Sequence, residues 1–64
     1  MKTYYCVVTS CFDDGRVTAN IVDTKQADKK PESESRATRR ADIYVDWYET
    51  PEAAQQAVNE ARAA

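Results

Sequence analysis

The sequence has no histidine, a single glycine, two prolines, one methionine and two cysteines among its 64 residues. Each scarcity removes a class of chemistry. Without histidine, the side chain best suited to proton transfer near neutral pH, and the commonest metal ligand, are both missing. A single glycine does not make a phosphate-cradling loop, which needs several. The cysteines form no CxxC pair, so zinc-site spacing is absent. Nor is there a long apolar run. The longest, residues 4–8, falls far short of the ~20 residues of a membrane span, and no signal-peptide core or small-residue cleavage site is found. The expectation is a cytoplasmic protein with no membrane contact, no cofactor, no metal and no small-molecule substrate.

What is present is ordinary for a soluble globular chain: 31% charged residues, 42% hydrophobic residues and a net charge of −2. One domain of this length buries only about 60% of its unfolded surface, so oligomerisation is a natural way to add buried area. Cys6 and Cys11 lie five apart in one extended run. They point to opposite faces roughly 16 Å apart, beyond disulfide reach, and read as reduced thiols packed as small hydrophobes. An exposed Cys11 would leave an intermolecular disulfide as the alternative.

The most informative stretch is 41–64. Ala41, Ile43, Val45 and Trp47 alternate with Asp42, Tyr44, Asp46 and Tyr48, the period of a half-buried strand, with the first set expected inward and the second outward. Thr50 then stands at an N-cap position, with Pro51 first in the helix and Glu52 in its electropositive first turn. Ala53, Ala54, Ala57, Val58, Ala61 and Ala64 fall within one arc of roughly 140°. An alanine face lets a helix lie close on a sheet, and a helix this short must dock to persist.

The N-terminal part reads as a hairpin: β-branched and aromatic residues up to Phe12, the turn signal Asp13-Asp14-Gly15, then a second strand to Thr24. A two-residue turn at Asp14-Gly15 would pair Phe12 with Val17, Ser10 with Ala19 and Val8 with Ile21 on the core face. Cys11 would then pair with Thr18, Thr9 with Asn20, Val7 with Val22 and Tyr5 with Thr24 on the other. This version is favoured because it buries Phe12; a three-residue loop with Gly15 in a bulge would change the pairs. Residues 25–40 hold nothing apolar larger than alanine, so they read as a mobile loop outside the core. Six basic residues against three acidic ones give it a net +3, leaving −5 on the rest of the chain.

Assembled, the expectation is a single α+β domain of ββ-loop-βα order. Its hairpin spans 1–24, the loop 25–40, a third strand 41–49 and a helix 51–63. The sheet would be three-stranded and antiparallel, ordered 1-2-3, with the helix across one face. The run IYVDWYETPEAAQQAVNEARAA resembles the last strand and helix of the plant ethylene-response-factor (GCC-box-binding) domain. It is also similar to the arm-type DNA-binding domains of some phage and transposon integrases, and GRVTANI resembles the family's second strand. The resemblance implies that the helix-free sheet face enters a DNA groove, with Arg and Trp side chains reading bases and phosphates. Here that face would offer Tyr5, Thr9, Thr18, Asn20, Tyr44 and Tyr48 together with Asp42 and Asp46. The strand-borne basic residues of the family are largely missing, and Trp47 is expected to point at the helix.

Catalysis is not expected. Asp42 and Asp46 stand about 13 Å apart along one strand, too far for a paired-carboxylate site. Protein binding leads instead, with a protein partner or a second copy meeting an outward face of Tyr5, Val7, Val22, Tyr44, Asp46 and Tyr48. Edge addition to the first or third strand is a further mode. Such a module would suit an accessory role in a phage or mobile element, an inhibitor of a host defence nuclease among them. The alternative is a nucleic-acid-binding domain that holds phosphates with Lys29, Lys30, Arg36, Arg39 and Arg40.

Overall fold

A computed structural model describes residues 1–63. It is an α+β fold with an antiparallel sheet and one C-terminal helix: β1 Lys2–Phe12, β2 Val17–Ala27, β3 Glu34–Ala37, β4 Ala41–Tyr48 and α1 Pro51–Ala63. The sheet has four strands in the order β2-β1-β4-β3, where three in the order 1-2-3 were expected. The most apolar strand takes a central place: β1 buries Tyr4, Cys6 and Val7, whereas β2 buries Ala19 alone. A strand as polar as β2 belongs at an edge, where one side of its backbone meets water.

Part of 25–40 is also strand rather than loop. β2 continues to Ala27, and Glu34–Ala37 pairs with β4. An edge strand exposed on both faces needs no apolar residue, which is why its composition did not announce it. A tight turn at Arg39-Arg40 joins β3 to β4. The Thr38 and Ala41 backbones close it at 2.8 Å, and Thr38 Oγ1 accepts the Ala41 amide at 3.1 Å.

The β1–β2 turn is the three-residue form. Gly15 donates its amide to the Phe12 carbonyl, Phe12 donates to the Arg16 carbonyl, and Gly15 has φ +92°, the left-handed conformation that glycine adopts without steric cost. Asp14 favours this turn by accepting the Arg16 amide at 3.0 Å. Cys11 therefore pairs with Val17, Thr9 with Ala19 and Val7 with Ile21, one residue away from the two-residue register. A bulge between Cys6 and Val7 leaves Val22 as the extra residue and restores the expected Tyr5–Thr24 pair.

The helix forms as its sequence dictates. Thr50 Oγ1 accepts the Ala53 amide at 3.0 Å and the Thr50 carbonyl accepts that of Ala54. Side-chain bonds Gln55–Asn59 and Gln56–Glu60 join successive turns on the solvent side. At the far end Arg62 donates to Asn20 Oδ1 on β2 at 3.1 Å. The apolar arc docks as expected, with Ala54 and Val58 buried and Ala61 packed beside them.

The face it docks on is the opposite of the expected one. Val7, Ala19, Ala54 and Val58 form the core cluster, flanked by Tyr5 and Tyr48. Partners directly across a ladder share a face, so the pairs Tyr5–Tyr48, Val7–Asp46 and Thr9–Tyr44 put the Tyr/Asp side of β4 on the helix side. An alanine-faced helix approaches small residues such as Ala19 and Val7 more closely than a surface bearing Trp47, Phe12 and Ile43. Tyrosine rings pack at its margin while their hydroxyls stay wet. This core is small: burying Val7 and Val58 contributes about 1.5–3 kcal/mol each, and the alanines less.

Candidate interaction surface

With α1 on one side, the other side of the sheet carries Tyr4, Cys6, Val8, Ser10 and Phe12 from β1 and Ala41, Ile43, Val45 and Trp47 from β4, paired as Phe12–Ala41, Ser10–Ile43, Val8–Val45 and Cys6–Trp47. No helix or strand lies over it. Val8, Phe12, Ile43, Val45 and Trp47 are each half-buried, while Tyr4, Cys6 and Ala41 on the same side are buried. Together they form an apolar strip two strands wide along the middle of the sheet.

Its borders are polar and charged. On the β3 side Glu34 pairs across from Val45 and Arg36 from Ile43, and these four side chains with Ser35 line a shallow groove of about 430 Å³. On the β2 side Asp23 lies across from Cys6 and Asn20 across from Val8. At one end the Arg16 guanidinium stacks on the Phe12 ring, 5.1 Å from its centroid, while its Nε meets Asp14 Oδ2 at 2.7 Å. The amide of Arg16, then its side chain, holds the Asp14 carboxyl below the usual carboxylate range. Burial, then the nearby charges of Asp23, Asp46 and Glu34, pushes the Cys6 thiol up. Cys6 and Cys11 are both free, Cys6 buried and Cys11 half-buried, on opposite faces as their spacing implied.

The six residues expected to form the outward protein-binding face are not assembled into one. Val7 is 2% exposed under the helix, with Tyr5 and Tyr48 packed beside it. Asp46 is half-buried on that same side. Tyr44, 43% exposed, lies beyond the helix, and Val22, 57% exposed, marks the bulge on the edge strand. The residues that do form an open apolar face are Val8, Phe12, Ile43, Val45 and Trp47. The alternation of β1 and β4 placed them on one face; only which face the helix would cover was read the wrong way round.

The basic residues divide likewise. Lys30 lies 5.9 Å from the Tyr48 ring, and Lys29 precedes it in the connection 28–33 that carries the chain from the β2 edge to the β3 edge. Arg39 and Arg40 form the β3–β4 turn beyond Ala41, at the other end of β4, about 24 Å away by strand geometry. There the Arg40 carbonyl accepts the Asp13 amide at 2.9 Å, beside an acidic turn. Arg36 stands on β3, on the open face. These five side chains do not make one patch.

Among the described residues no group of three or more His, Cys, Asp or Glu side chains is placed to hold a metal, and no helix is long and apolar enough to cross a membrane. The chain matches no protein-family model, and neither a curated protein nor a solved structure is significantly similar to it. The sheet expected beside the resemblance to the GCC-box and integrase-arm domains had the order 1-2-3, whereas here the first strand lies between the second and the last.

Proposed function

We propose that this chain is a small, non-enzymatic protein-binding module that self-associates through the open face of its sheet. The observation that carries the reading is the uncovered apolar strip of Val8, Phe12, Ile43, Val45 and Trp47, opposite the helix. The dimensions of the molecule support a second copy as the occupant. A compact protein of 7.2 kDa has about 4,100 Å² of accessible surface, whereas this chain has 4789 Å². Its Cα radius of gyration, 12.1 Å, exceeds the roughly 10.7 Å expected of a compact chain this long. The molecule is a slab measuring 40 × 22 × 13 Å. A broad side bounded by 40 × 22 Å gives room for a standard interface, to which each partner contributes about 800 Å² of accessible surface.

Stacking two such sheets about 10 Å apart would give each copy the second layer that its apolar strip lacks. Nucleic-acid binding has less support, because Lys29, Lys30, Arg36, Arg39 and Arg40 are dispersed and Asp13, Asp14 and Glu34 lie among them.

Val45→Glu tests the reading. It places a charge in the middle of the strip while leaving the helix-side core intact. The variant should run as a monomer in sedimentation velocity and keep the helical circular-dichroism signal, whereas the unaltered protein runs as a dimer. A Val45→Glu protein with an unchanged sedimentation coefficient would remove the open face from consideration.

A further inference from the structure

The charges bordering the open face assign it a particular partner geometry, and this inference rests on the self-association reading above. We propose that two copies pack sheet to sheet around a twofold axis that crosses the strands at the level of Thr9, Tyr44 and Ser35. Those three residues are consecutive partners across β1, β4 and β3. An axis lying in the interface there reverses strand direction and exchanges the residues on either side of that level.

The exchange brings unlike charges together at both borders. Glu34 and Arg36 flank Ser35 on β3, so Glu34 meets the partner's Arg36 and Arg36 meets the partner's Glu34. On the other border Asp23, level with Cys6, meets the partner's Arg16, whose backbone is bonded to Phe12 at the opposite end of the ladder; that guanidinium is already paired with its own Asp14, so the β3 exchange is the stronger of the two. Between them, large side chains fall on small ones: Trp47 over the partner's Ala41, and Phe12 over the partner's Cys6. The Arg39-Arg40 turn of one copy arrives at Glu49 of the other, which its own Lys2 already meets at 3.9 Å.

The main competitor is an axis running along the strands. It also sets Trp47 over a small residue, but it places Glu34 over the partner's Asn20 and Arg36 over the partner's Thr18, with no charge satisfied. An arrangement that pairs the exposed Glu34 and Arg36 charges across the interface is favoured over one that leaves both opposite neutral side chains, so the β3 charges discriminate between the two arrangements. Both are exposed, and neither Glu34 nor Arg36 takes part in an ion pair among the described residues.

Charge reversal with complementation tests the geometry. Glu34→Arg and Arg36→Glu each turn two attractive contacts into two repulsive ones, and should each weaken the dimer roughly tenfold or more. Mixing the two single variants should restore wild-type affinity, because every Arg then faces a Glu across the heterodimer; the double variant E34R/R36E should dimerise like the wild type. Sedimentation equilibrium reads all four samples, and circular dichroism confirms that each is folded. A wild-type dimer that neither reversal weakens, or two weakened variants that mixing does not rescue, overturns this axis and leaves self-association standing. A wild-type protein that is monomeric throughout overturns the self-association reading itself, and this geometry with it.

Discussion

Tyr48 shows how one side chain can be placed on the wrong face by its own chemistry. Polar at its tip, it alternates with Trp47 and suggests an outward position. In the fold its ring packs at the edge of the helix-side core. Burial, then the charges of Asp46 and Glu60, raises its phenol pKa above the ordinary value of 10.0. A proton held more tightly in the folded state adds stability that is complete below the unfolded pKa and is lost as pH rises through the folded one. Tyr48→Phe has no proton to lose. In urea titrations from pH 8 to 11 its stability should therefore decline less steeply than that of the wild type. Parallel curves would show that Tyr48 is not in the environment described. The sequence carried the alternation of β4 in full, but not its sense, because tyrosine satisfies a core margin and a solvated surface equally well.

At the scale of elements, what could be read was what is decided locally. The helix start is a side-chain oxygen two to three residues from the amides it serves, so Thr50, Pro51 and Glu52 are enough to place it, and the structure sets the cap at 3.0 Å. Thr50→Ala should lower stability by about 1 kcal/mol, measured as a shift of the urea midpoint at unchanged slope. An unchanged midpoint would mean that the cap contributes nothing. Strand β3 and the strand order were not legible for the opposite reason. Glu-Ser-Arg-Ala has no apolar pattern because an edge strand exposed on both sides has no core to face, and its existence depends on β4 alone. The hairpin register turned on a single residue: Asp14 caps the Arg16 amide and Gly15 takes a positive φ. That choice shifts every β1–β2 pair as far as the bulge at Val22, which then shifts them back.

At the scale of the whole molecule, the two halves of the open apolar face were present in the sequence without their arrangement. Ile43, Val45 and Trp47 were recognisable as one apolar row and Val8 and Phe12 as another, and a single-layer core would have used both under the helix. Instead the helix covers the smaller side chains around Val7 and Ala19, and the bulkier rows are left as a second, uncovered apolar face. A 64-residue chain with a four-residue buried cluster on one side of its sheet has little stability to spare. Burying the second face against another copy would link folding to protein concentration, so the urea midpoint should rise as the protein is concentrated.

The measurement that bears most directly on this account is the solution mass of the unaltered protein, by sedimentation equilibrium across a concentration series from low micromolar upward. The account predicts twice the chain mass of 7.2 kDa, with dissociation on dilution. A mass of one chain at every concentration would contradict it, and would leave the strip of Val8, Phe12, Ile43, Val45 and Trp47 without the second copy proposed to cover it.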